Sequence, residues 1–319
     1  MRASCFATSL GQASLAAPVE SDQVSVTKAV ILAGGLGSRL FPVTKSLPKE
    51  MLPLGTRPTI QGVAEEIEGA GVTDVLIVTS ATKRIIENHF DQGTGEPTEE
   101  TLPPFPLQAR YYYTRQSAPR GLGDAVLHGK RFVGEDHFIV ALGDCLLVSP
   151  KASGPMRRMV ELHLRHQAQA SICVQTVSDE KTRRYGIVAP AQELAGGALE
   201  LADIVEKPGP EAAPSRLAVA ARYVLSPLVF SYLEGATPGY GKEIQLTDAI
   251  RGMIRDGQRV LAVPLGEGER RLDVGDFASY SRGFVRAMLA EPEYGEQLAE
   301  YLAALAEHLR GEGEDPDVA

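Results

Sequence analysis

Short apolar runs, each ending in glycine or polar residues, recur through the first half of the chain. The earliest is KAVILA at residues 28–33, which is rich in β-branched residues and is followed at once by glycines. Its length and composition predict a buried strand that runs into a glycine-rich turn. Further buried strands are predicted at residues 74–80, 109–114 and 138–144.

Segments with helical spacing of apolar residues lie between these strands. Helices are predicted at residues 58–71, 81–90, 121–131 and 155–168. Strands that alternate with helices imply right-handed crossover connections and parallel pairing. We therefore expect an α/β fold with a Rossmann-like, doubly wound, mostly parallel mixed sheet and helices on both faces.

The second half of the chain has strand-like segments joined by shorter links, which predicts mixed pairing. Strands are expected at residues 171–177, 186–190, 198–208, 217–225 and 259–265. Helices are expected at residues 246–257, 277–290 and 293–310.

Composition narrows the classes of function. The chain has 319 residues, with 32 Lys and Arg against 41 Asp and Glu, so its net charge is −9. A negative field opposes nonspecific binding to nucleic acid, so an anionic ligand needs a local cluster of cations. No apolar run reaches the roughly 18 residues of a membrane helix. The three cysteines form no Cys-x-x-Cys pair, which favours a reducing cytoplasm without a disulfide framework.

The two ends of the chain and one internal stretch have loop-like composition. Residues 1–27 are interpreted as a disordered leader, with a processed targeting signal as the alternative. Residues 92–107 hold many Gly, Pro, Thr and Glu, which predicts a surface insertion. Residues 311–319 form an acidic tail.

The segment GGLGSRLFPVTKSLPKEMLP at residues 34–53 combines a glycine-rich turn with cations. Glycines after a buried strand let backbone N–H groups approach a phosphate closely. Arg39, Lys45 and Lys49 add three positive charges within eleven residues. Neither a P-loop nor a dinucleotide-binding turn is present, because the required Gly-Lys-Ser/Thr and third glycine are missing. A tight turn with a solvated basic rim is the alternative interpretation.

Two aspartates are candidate ligands for a divalent cation. Asp144 follows an apolar strand and a glycine, at the carboxyl end of a strand, where open α/β sheets bind ligands. Asp273, in RRLDVGDF, could supply a second carboxylate. Carboxylate oxygens suit Mg2+. Each aspartate could instead end a turn or cap a helix, and Asp276 competes with Asp273 as a cap.

Other candidate residues lie near predicted strand ends. Glu206 and Lys207, in IVEKP, could bind hydroxyl groups and a phosphate, or could form a solvated strand end. Gly186 would allow close approach of the backbone. Gln116 follows a strand and carries an amide that can both donate to and accept from one edge of a base, although it could also belong to an ordinary loop.

Several blocks together resemble the sugar-1-phosphate nucleotidylyltransferases, and among these the bacterial UTP–glucose-1-phosphate uridylyltransferases. The blocks are AVILAGGLGSRLFPVTKSLPKEMLPL at 29–54, IENHFD at 86–91, GLGDAVL at 121–127, VEKP at 205–208, RYVLSP at 222–227 and EIQLTDAI at 243–250. The resemblance covers roughly residues 28–290. LPKEMLP is similar to the uridylyltransferases, whereas thymidylyltransferases usually carry a Ser-Lys-Gln version.

The resemblance implies a role for each candidate residue and a nucleotide-diphospho-sugar transferase type of fold. Arg39 and Lys49 would contact the phosphates of UTP, with Gly34 and Gly35 against the nucleotide and Gln116 and Gly121 at the uracil. Gly186 and Glu206 would contact the sugar, Lys207 its phosphate, and Asp144 and Asp273 would bind Mg2+. Ser38 departs from the threonine usual in the family.

The function implied is transfer of a uridylyl group from UTP to glucose 1-phosphate without a covalent enzyme intermediate. The alternatives are a thymidylyltransferase, a uridylyltransferase for another sugar 1-phosphate, and a regulatory homologue that binds a sugar nucleotide without turnover. The expected organisation is a nucleotidyltransferase domain at residues 28–265, nucleotide-binding in its first half and sugar-binding in its second. A helical part at residues 266–310 would pack on this domain and contribute to a homo-oligomer.

Overall fold

The structure is a computed structural model that describes residues 25–91, 107–150, 154–311 and 316. The predicted leader, surface insertion and acidic tail lie almost entirely outside these residues. Val26, near the end of the predicted leader, is buried in the core.

The strands follow the predicted order, with differences of a few residues at their ends. They are β1 (Lys28–Leu32), β2 (Pro53–Leu54), β3 (Arg57–Pro58), β4 (Asp74–Thr79), β5 (Arg110–Arg115), β6 (Phe138–Leu142), β7 (Cys145–Val148), β8 (Ala170–Thr176), β9 (Gly186–Glu193), β10 (Leu199–Glu206), β11 (Leu217–Leu225), β12 (Val260–Pro264) and β13 (Arg270–Asp273). Of these, β2, β3, β7 and β13 are short and were not predicted.

The helices also agree with the predictions, apart from one division and one addition. They are α1 (Thr59–Glu68), α2 (Arg84–Phe90), α3 (Leu122–Leu127), α4 (Lys130–Val133), α5 (Gly154–Arg165), α6 (Val229–Glu234), α7 (Leu246–Arg255), α8 (Phe277–Leu289) and α9 (Gly295–Leu309). The helix predicted at 121–131 is divided into α3 and α4, and α6 was not predicted. The glycine-rich segment continues as short 3-10 turns.

Nine strands form one continuous sheet, in the order β5-β4-β1-β6-β11-β8-β12-β10-β9. Strands β5, β4, β1 and β6 pair in parallel, as do β8 and β12. The other neighbours in this order pair antiparallel. The sheet is therefore mixed, and the expectation of mostly parallel pairing applies to its first half only, because β11 enters antiparallel between β6 and β8.

Helices cover both faces of the sheet, because alternate residues of its strands enter two different hydrophobic cores. Ala29 and Ile31 of β1 pack in a core with α1, α2 and α5. Val30 and Leu32 of the same strand pack in a core with α3, α4, α6 and α7. This confirms the prediction of helices on both faces, and it leaves the carboxyl ends of β1 and β6 open for a site.

The part after residue 265 contains α8 and α9, as predicted, and also β13, which pairs with β7 outside the main sheet. Phe284 and Ala287 of α8 pack against a small core around Leu272. Within the described residues, no helix has both the length and the apolar character needed to cross a bilayer.

Candidate active site

Two neighbouring cavities form a cleft at the carboxyl ends of β1 and β6. The first, the Lys49 compartment, has a volume of about 280 Å3, and the second, the Lys207 compartment, about 240 Å3. The two compartments share four lining residues: Leu142, Arg184, Tyr185 and Arg271. They therefore form one continuous cleft.

The Lys49 compartment contains five of the predicted site residues. They are Gly35, Arg39, Lys49, Asp144 and Asp273. Arg39 lies in a 3-10 turn just after the glycines and is exposed, and Lys49 begins another such turn. The glycine-rich segment thus brings two of its three cations, Arg39 and Lys49, to the cleft. The third, Lys45, is exposed and lines neither compartment, so the predicted cluster of three cations is wrong in this member.

The two aspartates meet because β7 and β13 form a short antiparallel ribbon. Asp273 is opposite Cys145 in the register of this ribbon, directly beside Asp144. The backbone N–H of Val274 donates to the carbonyl oxygen of Asp144 at 3.0 Å. The ribbon therefore places side by side two carboxylates that are far apart in the sequence.

Electrostatic coupling between these groups is strong. Lys49 Nζ forms an ion pair with Asp144 Oδ2. Burial alone would lower the pKa of Lys49, but the carboxylates of Asp144 and Glu50 outweigh burial and raise it. Burial alone would raise the pKa of Asp144, but Lys49 and Arg271 hold it below its usual value. Both groups are therefore charged near neutral pH.

Asp273 differs from Asp144 in its surroundings. Burial raises its pKa, and the nearby carboxylate of Asp144 adds to this increase, while Arg271 and Lys49 oppose it. Two carboxylates whose charges repel each other favour a bound cation between them. No cluster of three or more His, Cys, Asp or Glu side chains suited to a metal occurs in the described residues. Two carboxylates fit Mg2+, which commonly completes its coordination with water and substrate phosphates.

The Lys207 compartment contains the other predicted cation. Gly186, Glu206 and Lys207 line it together with Thr247 and Gln245. Gly186 of β9 is opposite Glu206 of β10 in the sheet register. A Cβ atom on Gly186 would lie 3.3 Å from Glu206 Oε2, so the absence of a side chain gives this carboxylate its space.

Three contacts fix Glu206 and Lys207 in this compartment. Glu206 accepts a hydrogen bond from the Thr247 hydroxyl at 2.8 Å. Lys207 Nζ is 3.1 Å from Glu206 Oε1 and 4.9 Å from the centre of the Tyr240 ring. Lys207 adopts a left-handed backbone conformation, with φ 47°, and its N–H donates to the carbonyl oxygen of Tyr185. Thr247 and Tyr240 were not singled out from the sequence.

Gln116, Gly34 and Gly121 lie beside the cleft and line neither compartment. A Cβ atom on Gly34 would lie 3.0 Å from Gln116 Oε1. Gln116 Nε2 donates to Asp124 Oδ2 at 2.7 Å and to the carbonyl oxygen of Gly121 at 3.2 Å. Both N–H groups of this amide are therefore engaged, which leaves its oxygen as the group that can bind a base.

Gly121 is required by its conformation and by its neighbours. Its φ is 109°, and a Cβ atom there would lie 2.5 Å from the carbonyl oxygen of Ile244. Any side chain at this position would displace the segment that precedes α7, which carries Thr247. The Gln116 corner is thereby connected to the Lys207 compartment.

Sequence reasoning also missed Arg271 and Arg184. Arg271 lies two residues before Asp273 on β13, so both side chains are on the same face of the ribbon. Arg184 is exposed at the edge of the cleft and pairs with Asp276 at 3.2 Å. Had β13 been predicted as a strand, Arg271 would also have been a candidate, because residues two apart on a strand share a face and Asp273 was already a candidate.

Comparisons with known proteins identify the family of this chain. A family model described as Nucleotidyl transferase matches residues 28–288. The chain is 40% identical over 294 residues to UTP–glucose-1-phosphate uridylyltransferase of Streptococcus pneumoniae serotype 4, which is 89% of this chain and 97% of that protein. A relative of the same name from Streptococcus pyogenes is also 40% identical over 294 residues, 89% of this chain and 96% of that protein.

Solved structures give a consistent result. The UTP-bound UGPase from Acinetobacter baumannii superposes with a TM-score of 0.77 and 34% identity, over 88% of this chain and all of that one. A UDP-glucose pyrophosphorylase complexed with UDP-glucose has a TM-score of 0.73 and 33% identity, over 83% of this chain and 98% of that one. A putative glucose-1-phosphate thymidylyltransferase from Bacillus anthracis has a TM-score of 0.67 and 27% identity, over 85% of this chain and 98% of that one.

Proposed function

The chain belongs to the nucleotidyl transferase family, and from this premise we propose that it is a UTP–glucose-1-phosphate uridylyltransferase. It transfers the uridylyl group of UTP to glucose 1-phosphate, giving UDP-glucose and pyrophosphate. The observation that carries this proposal is the continuous cleft, in which Lys49, Arg39, Asp144 and Asp273 line one compartment and Lys207 lines the next. The relatives with this name support the choice of substrates.

The reaction is a direct displacement at phosphorus. A phosphate oxygen of glucose 1-phosphate attacks the α-phosphorus of UTP in line and forms a new P–O bond. The bond from the α-phosphorus to the oxygen that bridges to the β-phosphate breaks, and pyrophosphate leaves with that electron pair. The attacking oxygen is already anionic, so no protein nucleophile or general base is required.

The main barrier that the protein removes is repulsion between two polyanions. Two unit charges 4 Å apart repel each other by about 4 kcal/mol at an effective dielectric constant near 20. In the proposed mechanism, Arg39 and Lys49 bind the phosphates of UTP, and Lys207 binds the phosphate of the sugar. These cations bring the reactants together and stabilise the charge that develops in the transition state.

The base and the sugar are recognised by polar groups beside these cations. Gln116 Oε1 accepts from the N–H of uracil, since its N–H groups are already bonded to Asp124 and Gly121. Gly34 and Gly35 allow the nucleotide to lie against the backbone, and Gly121 keeps the uracil corner open. Glu206 and Gly186 contact the hydroxyl groups of glucose.

Asp144 and Asp273 are the proposed ligands of Mg2+. When bound, this ion neutralises charge on the phosphoryl oxygens at the reaction centre. Lys49 then has a second role, because its ion pair with Asp144 holds that carboxylate in place and keeps it ionised. Asp273 would supply the second carboxylate, and a cation held there would favour its ionised form against the burial that raises its pKa.

Several wider expectations belong to the same proposal. We interpret the parallel half of the sheet as a Rossmann-like nucleotide-binding unit and the rest of residues 28–265 as the sugar-binding half. A cytoplasmic location fits the two buried free thiols, Cys145 and Cys173.

Exposed apolar side chains on or beside α8 and α9 support a homo-oligomer formed through residues 266–310; they are Phe277, Leu289, Tyr294 and Leu309. Light scattering tests this, since a single chain has a mass of 34.2 kDa.

Substrate profiling of the purified protein tests the proposed function. Pyrophosphate release and UDP-glucose formation are measured with UTP, glucose 1-phosphate and Mg2+, and the expected result is turnover that stops when EDTA is added. Assays with dTTP and with galactose 1-phosphate distinguish the other members of the class. The dTTP assay is needed because uracil and thymine present the same polar edge to Gln116, so the structure alone does not separate them. Binding of UDP-glucose without any pyrophosphate release would show a regulatory protein and overturn the proposal.

A further inference from the structure

Four residues line both compartments, and one of them, Arg271, carries a buried positive charge. It lines the Lys49 compartment and the Lys207 compartment, and its side chain is only 8% exposed. Strand alternation in β13 places Arg271 and Asp273 on the face toward the cleft and Arg270 on the opposite face. Arg270 is exposed and lines neither compartment.

Most of the guanidinium group of Arg271 is held by protein contacts. It stacks on Tyr185, with its central carbon 4.6 Å from the centre of the ring. Its Nη2 atom is 3.2 Å from Asp273 Oδ1, and its Nε atom donates to Cys145 Sγ at 3.0 Å. A planar cation fixed on three sides has little freedom left to lose when it binds a ligand.

The remaining nitrogen, Nη1, is buried and has no hydrogen-bond acceptor in the described part of the chain. Buried polar groups are nearly always hydrogen-bonded, because leaving such a donor unpaired is costly. Because Arg271 lines both compartments, a ligand in the cleft can supply the acceptor that Nη1 lacks, and a negatively charged acceptor suits its positive charge. Oxygens of phosphate have this chemistry.

We propose that Arg271 binds an oxygen of the phosphate that joins the two compartments. This proposal rests on the proposed function. The phosphate is that of glucose 1-phosphate before the reaction, and it becomes the glucose-bearing phosphate of UDP-glucose afterwards. Arg39 and Lys49 reach one compartment and Lys207 the other, whereas Arg271 belongs to both. It therefore contacts the one group that stays at the junction throughout the reaction.

Binding at Nη1 requires a local adjustment of the cleft, because this atom is covered in the structure. Tyr185 lies over the guanidinium group, and the neighbouring Arg184 is exposed at the edge of both compartments. The proposal therefore requires Tyr185 and Arg184 to shift when the sugar phosphate enters, so that Nη1 becomes accessible. The side chain of Arg271 itself stays anchored by Asp273 and Cys145.

The test compares Arg271→Lys with Arg270→Lys, the same substitution on the opposite face of β13. Lysine keeps the positive charge but loses the planar fork and the stacking on Tyr185. Loss of one charge-assisted hydrogen bond corresponds to a decrease of about 10- to 100-fold in affinity. We expect the KM for glucose 1-phosphate to rise by about this factor in Arg271→Lys. The KM for UTP should stay within about threefold, and Arg270→Lys should match the wild type.

Calorimetric binding of UDP-glucose in EDTA separates this role from simple support of Asp273. We expect Arg271→Lys to bind UDP-glucose at least about tenfold more weakly, and Arg271→Gln more weakly still, since it also loses the charge. A variant that binds UDP-glucose normally and needs only more Mg2+ for turnover would overturn the proposal and show a supporting role. Wild-type protein that neither binds UDP-glucose nor releases pyrophosphate would overturn the proposed function, and this assignment with it.

Discussion

Each cation that lines the interior of the cleft is held by a carboxylate of the protein. Lys49 pairs with Asp144, Lys207 with Glu206, and Arg271 with Asp273. Such pairs keep long side chains in one orientation before any ligand binds, which lowers the entropy lost on binding. These three cations are therefore directed toward the cleft in advance, whereas Arg39 and Lys45 of the glycine-rich segment are exposed.

Substitution of Lys207 by alanine tests the proposed division between nucleotide and sugar residues. Lys207→Ala removes the proposed contact with the sugar phosphate but leaves the Lys49 compartment intact. We expect the KM for glucose 1-phosphate to rise at least about tenfold, with little change in the KM for UTP. Steady-state kinetics with each substrate varied in turn measures both values.

The matched control is Lys181→Ala, because Lys181 is exposed and lines neither compartment. It should behave as the wild type. An increase confined to the KM for UTP in Lys207→Ala would contradict the assignment of Lys207 to the sugar phosphate.

The sequence indicated those site residues that carry a charge where an apolar strand ends, because a charged group is unusual at that position. Asp144, Glu206 and Lys207 stood out because charged groups directly follow apolar strands, and the structure places all three in the cleft. Arg271 did not stand out, because it lies within a run of charged residues in RRLDVGDF. Its burial and stacking on Tyr185 depend on tertiary packing, which no local pattern encodes.

Short elements determine how the pieces of the site meet. The ribbon of β7 and β13 aligns the two aspartates, although each of its strands has only four residues. Periodicity is too weak in four residues to predict a strand, so only the longer strands and helices were predictable. Helix 121–131 is divided at His128 and Gly129, where the chain passes close to β1: a Cβ atom on Gly129 would lie 3.0 Å from Val30.

A buried ion pair joins the glycine-rich turn to the start of α2. Lys83 Nζ donates to both oxygens of Glu50, at 2.8 and 2.7 Å, and to the carbonyl oxygen of Ala33 at 2.7 Å. Both side chains are almost fully buried. Glu50 directly follows Lys49, so this pair fixes the turn that carries the Lys49 side chain.

We expect Lys83→Met to destabilise the protein by about 3–5 kcal/mol, because it leaves Glu50 buried without its partner. Burial already raises the pKa of Glu50. The double variant Glu50→Met with Lys83→Met should recover much of the loss, since it removes both charges together. Urea unfolding measures these free energies.

Lys130→Met is the control for loss of an ion pair at the surface, because Lys130 pairs with Glu234 and both are about half exposed. It should change the free energy of unfolding by less than about 1 kcal/mol. A Lys83→Met variant as stable as this control would show that the buried pair has no structural role.

At the scale of the whole molecule, a negatively charged chain surrounds a cleft with several cations. The net charge is −9, so the cations of the cleft act at short range against a repulsive background. The alternation of strands and helices predicted the α/β class and the two covered faces. The sheet order could not be derived in this way, because the position of β11 between β6 and β8 depends on pairing across distant segments.

Global stability should depend on pH through a buried histidine pair. His163 Nε2 is 2.7 Å from His137 Nδ1, and His163 Nδ1 is 2.9 Å from the Ser171 hydroxyl. Burial, together with His137, lowers the pKa of His163 to about 3. Below its unfolded pKa of about 6.5, the unfolded chain binds a proton that the folded chain does not. The contribution of neutral His163 to the free energy of unfolding is therefore fully present above pH 6.5 and is lost as the pH falls toward 3.

We expect His163 to account for about 2 kcal/mol of the stability lost between pH 7 and pH 5. In His163→Gln, the difference between the free energies of unfolding at these two values of pH should shrink by about that amount. The control is Ser231→Ala at the surface, which changes no titratable group, so the difference should match the wild type. An unchanged difference in His163→Gln would contradict the assignment.

The antiparallel pairing of β6 with β11 has a consequence for how related clefts could differ in the sugar that they accept. Leu142 at the end of β6 belongs to both compartments, and Ala221 and Tyr223 of β11 line the Lys207 compartment. Under the proposed function, backbone hydrogen bonds between β6 and β11 therefore set the spacing between UTP in the Lys49 compartment and glucose 1-phosphate in the Lys207 compartment. On this assignment, we expect changes in the loops beside β11 to alter which sugar is accepted and to leave the separation of the reacting atoms unchanged. Insertion of one residue in either strand would misalign the two reactants whatever sugar is chosen.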